Sequence, residues 1–268
     1  MENIMKNNLS IKISIITVVY NGEEDIEETI KSVINQTYKN IKYIIVDGKS
    51  SDNTMEIIDR YRDKISVIVS EPDKGLYDAM NKGLDNVSGE YVIFMNCGDT
   101  FVDSSVLEKI ASFLFEQSEL PNFIYGDAIE VNNYSNYCYL KKARNHKFVW
   151  YGMFTHHQAM LYNIETIKNN KIQYDLSYKI GADYAFTASF LKVSSIVSYI
   201  QLSICKFKQD GLSSKNWWIG IKELWKVRKK ILGYNPIVNF SVFSFQYIMI
   251  ILRKRIPQFY NILRFRKM

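Results

Sequence analysis

Short apolar runs rich in β-branched residues alternate with helical patterns over the first hundred positions of the chain. The apolar runs occupy residues 11–20, 41–46, 65–69 and 91–95. Each has the length and composition of a buried strand. Between them apolar residues recur with helical spacing, so helices are expected around 26–34, 53–62 and 78–86. Strands that alternate with helices in this way predict a parallel α/β sheet.

Polar residues follow three of these predicted strands. Asn21 follows the first strand, Asp47 and Asp52 follow the second, and Asp99 follows the fourth. Right-handed crossovers bring these loops to one edge of the sheet, where open α/β sheets bind ligands. No dinucleotide or P-loop glycine fingerprint follows a strand. Phosphate in this site would therefore have to be bound through a metal held by carboxylates.

The regular alternation ends after about Tyr125. Aromatic and Asn-rich sequence at 131–139 predicts an inserted loop or a hairpin. From Trp217 onward the pattern indicates a basic amphipathic helix, a Gly-Tyr-Asn-Pro break at 233–236, and a second, aromatic and apolar helix. We therefore expect one domain at 1–215 and a C-terminal basic amphipathic helical extension at 216–268.

The distribution of charge along the chain predicts an anionic partner. The 268 residues are 47% hydrophobic and 23% charged, as in a folded protein. The net charge of +6 is unevenly placed, because Lys and Arg outnumber Asp and Glu fourteen to two from Lys206 onward. This asymmetry predicts binding to a phospholipid surface or to nucleic acid.

Cysteine usage and apolar segments bear on the compartment. Cys97, Cys138 and Cys205 are odd in number and lack metal-ligand spacing, so a reducing compartment is favoured. Residues 1–12 lack the apolar core of a signal peptide, and the apolar stretch 242–252 is too short to span a bilayer. We expect neither export nor integration into a membrane.

The segments 15–21 with 32–38, and then 45–54, resemble the opening and the second nucleotide-binding loop of glycosyltransferase family 2. They are the first two of six blocks that match the family in the correct order over roughly 11–228. Asp73-Lys74-Gly75-Leu76-Tyr77-Asp78 and the residues to Gly83 resemble a bacterial subgroup that builds O-antigens and capsules. Asn96-Cys97-Gly98-Asp99 takes the position of the family's DxD-type metal motif, and later blocks of the subgroup match at 156–158 and 181–184.

The resemblance implies an inverting enzyme of GT-A type, with a Rossmann-like, mostly parallel sheet flanked by helices. Residues 11–125 would then bind the nucleotide, and residues 126–215 would form the acceptor side. The implied reaction moves a hexose or N-acetylhexosamine from a nucleotide sugar, expected to be a UDP-sugar, to a lipid-linked saccharide in surface polysaccharide synthesis. The implied cofactor is a divalent cation, Mn²⁺ or Mg²⁺.

The donor pocket is expected around Asp47, because in similar enzymes this aspartate binds the nucleotide. Thr17, Tyr20 and Glu23 would form its other side, although Tyr20 could be a core aromatic and Glu23 a first-turn acid stabilised by the helix dipole. Asp52 is equally a helix N-cap. The remaining nucleotide-sugar-binding candidates are Ser50, Lys74, Asp78, Asn81, Asn96, Gly98, His157 and Gln158.

Asp99 is the expected metal ligand, since hard divalent cations bind carboxylates and bridge phosphates. Such a cation would stabilise charge on the departing diphosphate. Asn96 replaces the first aspartate of the family motif, which leaves one strong ligand instead of two. The alternative is a turn that uses these residues for backbone geometry alone.

Asp183 is the expected general base, because displacement with inversion needs a carboxylate that deprotonates the attacking hydroxyl. Ala182 stands where the family commonly has a preceding acid. The alternative reading is an aspartate at a helix N-terminus, and the two roles are compatible.

The C-terminal extension combines aromatic and basic residues, which is typical of helices that bind anionic membrane surfaces. We therefore expect peripheral attachment to the inner face of the cytoplasmic membrane; a helix pair packed on the catalytic domain is the alternative. Two other function classes fit the sequence less well. A metal-dependent nucleotidyltransferase is disfavoured by the acidic loop at 20–25, and a nucleic-acid-binding module lacks any recognised motif.

Overall fold

Four parallel strands form the first half of a nine-stranded sheet in the computed structural model, which describes residues 11–131, 138–208 and 217–255. They lie in the order β3-β2-β1-β4 and comprise β1 (Ile13–Val19), β2 (Ile41–Asp47), β3 (Val67–Ser70) and β4 (Tyr91–Phe94). The intervening helices are α1 (Ile26–Ile34), α2 (Thr54–Asp59) and α3 (Leu76–Asp85). The predicted α/β class is confirmed.

Each central strand is buried on both faces because helices cover both sides of the sheet. Along β1, Ile13 and Ile15 pack in the same cluster as α1, whereas Ile16 and Val18 pack in the same cluster as α3. This is the two-residue alternation of a strand. Gly83 lets α3 approach closely, since a Cβ there would lie 2.6 Å from the side chain of Ile16.

The second half of the sheet mixes strand directions. β8 (Met160–Asn163) lies antiparallel to β4, and β6 (Phe123–Val131) lies antiparallel to β8 and parallel to β9 (Val197–Lys208). The remaining strands and helices are β5 (Thr100–Phe101), β7 (Cys138–Lys141), α4 (Val106–Phe115), α5 (Ile164–Asn169) and α6 (Ala182–Val193). Most of the segment predicted to be a loop or hairpin, residues 132–137, lies outside the described residues. Its flanking strands β6 and β7 pair antiparallel.

Two helices follow, α7 (Trp217–Lys230) and α8 (Pro236–Arg255), and they confirm the predicted helix-break-helix pattern. Arg228 of α7 is fully buried and donates from Nε to Oδ1 of Asn239 over 2.7 Å. The amide of Asn239 donates in turn to the carbonyl of Trp225. No helix in the described part of the chain has the length and hydropathy needed to cross a membrane.

Candidate functional site

The carboxyl end of β2 presents Asp47, whose side chain is fully buried. The Ser50 hydroxyl donates to Asp47 Oδ1 over 2.5 Å, and the Ser70 hydroxyl donates to Oδ2 over 2.7 Å. The main-chain N–H of Ser50 is also directed at this carboxylate. Asp47 therefore holds the loop after β2 in place. Ser50, which was also predicted to bind the nucleotide sugar, lies in the same loop.

The loops after β1 and β2 bond to each other. Glu23 Oε2 accepts from both the main-chain and the side-chain nitrogen of Asn53, and Asp52 Oδ2 accepts from the main-chain N–H of Glu23. Asp52 Oδ1 also accepts from the N–H of Thr54, the first residue of α2. Asp52 is therefore not the N-cap, which is Asn53; it lies one residue earlier, and its bond to Thr54 coexists with a link to the neighbouring loop.

Tyr20 and Thr17 occupy opposite environments at the end of β1. The Tyr20 side chain is 64% exposed, so it is not a core aromatic. Thr17 is fully buried, and its hydroxyl donates to the carbonyl of Met95 over 2.7 Å. Beside Tyr20, a Cβ on Gly48 would lie 3.3 Å from the Tyr20 ring and would clash with the Asp73 carboxylate. Asp73, which the sequence did not single out, is therefore part of this rim.

The predicted residues on and before α3 are used mainly within the protein. The main-chain N–H of Lys74 donates to Asp78 Oδ2, and Lys74 itself is exposed. Asn81 uses both ends of its amide on the main chain of Tyr174, accepting over 2.8 Å and donating over 2.9 Å. The bonds of Asn81 tie α3 to the segment before α6.

Asp99 follows β4 in a tight turn. Gly98 has φ 92°, in the region that favours glycine, and its N–H donates to the hydroxyl of Thr29. The Asp99 side chain is 6% exposed and accepts from the amide of Gln158. Burial raises the pKa of Asp99 to about 7, although the hydrogen bond from Gln158 opposes this rise.

His157 connects this turn with Asp183 in the first turn of α6. Asn96 Nδ2 lies 3.1 Å from His157 Nε2, and His157 Nδ1 lies 3.7 Å from Asp183 Oδ2. Burial raises the pKa of Asp183 to about 6 and lowers that of His157 to about 3. At pH 7 Asp183 is therefore largely ionised beside a neutral imidazole. A quarter of the Asp183 side chain is exposed, so solvent reaches it.

Two buried side-chain oxygen atoms around Asp99 have no hydrogen-bond partner among the described residues: Asn96 Oδ1 and Gln158 Oε1. Within the described ranges, no three His, Cys, Asp or Glu residues converge to hold a metal ion. Mg²⁺ is commonly held by one or two carboxylates together with substrate phosphates and water. Asp99 and the free carbonyl oxygen of Asn96 fit such an open site, in which the substrate supplies the remaining ligands.

Glu223 is the functional candidate that sequence reasoning missed. It extends from α7 and is 4% exposed, and its carboxylate contacts the segment just before Asp183. The only signal in the sequence is that Glu223 is the single acidic residue of an otherwise basic helix. An amphipathic pattern assigns such a residue to the solvent.

Comparisons with known proteins agree on one family. A family model described as "Glycosyl transferase family 2" matches residues 14–195. A "PGL/p-HBAD biosynthesis glycosyltransferase" of Mycobacterium bovis is 26% identical over 212 residues, which cover 74% of this chain and 77% of the relative. An "Uncharacterized glycosyltransferase" of Haemophilus influenzae is 24% identical over 216 residues, covering 74% of this chain and 66% of the relative.

Solved structures share the fold. The crystal structure of S. aureus TarS 1-349 in complex with UDP-GlcNAc superposes with a TM-score of 0.69 at 18% identity, over 87% of this chain and 70% of that one. The mannosyltransferase PcManGT from Pyrobaculum calidifontis, in complex with GDP-Man and Mn²⁺, superposes with a TM-score of 0.63 at 15% identity, over 88% and 69%. The architecture is that of GT-A glycosyltransferases.

Proposed function

The chain belongs to glycosyltransferase family 2, and on that premise we propose that it moves one hexose or N-acetylhexosamine from a UDP-sugar to a lipid-linked saccharide with inversion of the anomeric carbon. The observation that carries this proposal is the connection from the turn of Asp99 through His157 to Asp183. It joins Asp99, a carboxylate that would hold the cation on the diphosphate, with Asp183, a carboxylate that can accept a proton.

Asp183 serves as the general base. The acceptor hydroxyl oxygen forms a bond to the anomeric carbon while its proton passes to Asp183, and the bond from that carbon to the diphosphate breaks with its electron pair leaving on UDP. A base works best when its pKa lies near the working pH, and the pKa of Asp183, about 6, meets this condition. Partial exposure of its side chain lets an acceptor approach.

The donor lies along the ends of β1, β2 and β4. Tyr20 offers an exposed ring to the base, and the loop that Asp47 holds through Ser50 lies beside the nucleoside. Asp99 and the carbonyl oxygen of Asn96 would hold Mn²⁺ or Mg²⁺ beside the diphosphate. When bound, such a cation offsets negative charge on the leaving group. Gln158 fixes the Asp99 carboxylate through its amide.

The acceptor side extends to α7 and α8, which present apolar and basic groups together. Ile237 is 80% exposed and Phe240 is 62% exposed. A cavity of about 370 Å³ between the two helices is lined by Lys222, Trp225, Lys226, Phe240 and Phe243. Exposed apolar side chains next to lysines suit the interface of an anionic membrane. We assign this surface to the cytoplasmic face of the membrane that holds the acceptor lipid.

A donor panel tests the function. The purified full chain is offered UDP-, GDP- and dTDP-sugars with Mn²⁺, Mg²⁺ or a chelator, and binding and nucleoside diphosphate release are measured. We expect one UDP-sugar to bind and turn over, and NMR of the product to report the opposite anomeric configuration. Preference for GDP- or dTDP-sugars would reject the UDP assignment. If no sugar nucleotide binds at all, the whole proposal is rejected.

A further inference from the structure

Three successive main-chain N–H groups before α6 converge on one carboxylate from α7. Glu223 Oε1 accepts from the N–H of Lys179 over 2.8 Å. Its Oε2 accepts from the N–H of Ile180 over 2.9 Å and from that of Gly181 over 2.8 Å. These charge-assisted bonds satisfy a carboxylate that would otherwise be costly to bury.

Glu223 bonds the three N–H groups just before a helix whose start has no side-chain cap. The first N–H groups of a helix lack partners within it, and the residue before α6 is Gly181, which has no side chain to cap them. The negative charge of Glu223 also lies at the end of the helix where the dipole favours it. A Cβ on Gly181 would lie 3.1 Å from the Cβ of Glu223, so the glycine gives the carboxylate close access.

The same segment is held from its other side by Tyr77 of α3. The Tyr77 hydroxyl donates to the carbonyl of Ile180 over 2.6 Å. Glu223 binds the N–H of that residue, and Tyr77 binds its carbonyl. Two side chains from distant parts of the sequence therefore fix the peptide groups just before Asp183.

Asp183 depends on this backbone for its direction. It lies two residues after Gly181, and its Oδ1 accepts from the N–H of Tyr184, the next residue of the same helix turn. His157 Nδ1 is 3.7 Å from Oδ2. Since no shorter side-chain bond to the Asp183 carboxylate exists among the described residues, a shift of 179–181 would move it.

We propose that Glu223 is a positioning residue of the transfer reaction, which holds the backbone of 179–181 so that Asp183 faces the acceptor hydroxyl. The inference rests on the proposed role of Asp183 as base. Glu223 itself does not touch the substrate; it acts through the start of α6, and Tyr77 supports the same segment.

Glu223→Gln tests the proposal because the neutral amide has almost the same shape but accepts the three N–H groups less well. We expect kcat to fall at least tenfold while the dissociation constant of the sugar nucleotide changes less than twofold. Glu116→Gln, an exposed glutamate after α4, is the matched control and should leave both values unchanged. A kcat within twofold of the parent, or equal losses of kcat and donor affinity, would overturn the proposal.

The pH profile separates positioning from loss of structure. The groups that face or interact with Asp183 are His157, Tyr77, Tyr162, Tyr174 and Glu223. The charge of Glu223 contributes to the raised pKa of Asp183. The acidic limb of kcat/KM should therefore move to lower pH in Glu223→Gln, and an unmoved or higher limb would contradict the inference.

A second variant keeps the test decisive if Glu223→Gln fails to fold. Tyr77→Phe removes only the hydroxyl that holds the Ile180 carbonyl, and it should lower kcat with donor binding intact; unchanged kcat would count against the proposal.

Asp183→Asn distinguishes failure of the proposed base from failure of the positioning role. If Asp183→Asn leaves turnover unchanged, the proposed base is wrong. If it abolishes turnover while Glu223→Gln and Tyr77→Phe do not reduce it, only the positioning role is wrong.

Discussion

The proposed donor side and the proposed acceptor side of the site are held together by different kinds of contact. On the donor side, Glu23 bonds to Asn53 only 30 positions away, across two successive loops of the parallel sheet. On the acceptor side, the segment before Asp183 is bonded by Glu223 and by Tyr77, which lies 103 positions from Ile180. These donor-side loops thus come from neighbouring strand–helix units, whereas the acceptor side needs three separate regions of the chain.

This difference separates nucleotide binding from chemistry. Loops that bond to each other locally keep their shape when a distant helix is disturbed. The start of α6 has no such local support, because Gly181 provides no cap. Damage on the acceptor side should therefore reduce turnover and spare donor affinity, and the following changes test that division.

The largest effect is expected for Asp183→Asn. Loss of a positioned base typically costs on the order of 10²- to 10⁴-fold in rate, and we expect a loss of kcat in that range. Donor affinity measured by calorimetry should stay within twofold. Asp63→Asn, an exposed aspartate after α2, is the control and should behave like the parent. A large loss of donor affinity in Asp183→Asn would break the division between the two sides.

Asp99→Asn should affect the donor side, with a loss of roughly tenfold to a hundredfold in cation-supported turnover. The amide keeps an oxygen for the Gln158 hydrogen bond but removes the negative charge. Titration with Mn²⁺ at fixed donor should show weaker activation than in the parent and in Asp85→Asn, an exposed control at the end of α3. Identical Mn²⁺ activation curves would remove Asp99 from the metal site.

The double variant Ile237→Ser, Phe240→Ser should weaken binding to vesicles of anionic phospholipid by about tenfold. Each exposed side chain would otherwise bury apolar surface in the interface, at roughly 25 cal/mol per Å². Phe115→Ser, which removes a partly exposed aromatic at the end of α4, serves as control. Vesicle sedimentation that is equal in all three proteins would show that the C-terminal helices do not contact the membrane. Turnover of a water-soluble acceptor should not change.

The smallest change in rate is expected when the pH is varied near neutrality. Asp183 must be ionised to accept a proton, and its pKa is raised to about 6 by burial. The rate should therefore be halved near pH 6 and fall about tenfold for each further unit of acid. His157 stays neutral over this range because burial lowers its pKa to about 3. A kcat profile that is flat down to pH 4.5 would exclude Asp183 as the base.

The parallel half of the fold could be predicted from the sequence because its signals are local. Apolar runs of strand length alternate with helices, and the loops that carry Asp47 and Asp99 follow from that order. Predicted and observed boundaries differ where the helical spacing of apolar residues continues past the end of the helix. The helix expected at 53–62 ends at Asp59, and a short 3₁₀ turn follows at Arg62–Lys64.

The second half could not be predicted in the same way, because its pairings join distant segments. β6 and β9 pair with register shifts near Asp127, and β8 enters antiparallel between β4 and β6. Neither feature produces a periodic pattern of apolar residues in the sequence. The resemblance located Asp183, and the helix that begins at Ala182 puts it in a first turn, as the alternative reading expected. Its role as base and the roles of the other predicted site residues stay predictions.

Asn81 and Glu223 mark the limit of assigning roles from residue type. Asn81 was expected beside the donor, but both ends of its amide bind the main chain of Tyr174. Glu223 lies in a helix that was expected to be basic and amphipathic, yet it is buried against the start of α6. In both cases a distant main-chain segment determines what the side chain does, and sequence spacing does not report it.

The contact between α7 and α6 has a consequence for exchanging parts between related enzymes. The family model ends at residue 195, and α7 lies beyond it. A chimera that keeps this core but takes its last helices from a relative would also replace the partner of the 179–181 backbone. Such a hybrid should bind sugar nucleotide yet turn over poorly, until a carboxylate is restored at the position of Glu223. Acceptor preference and catalytic competence would then have to be transplanted together.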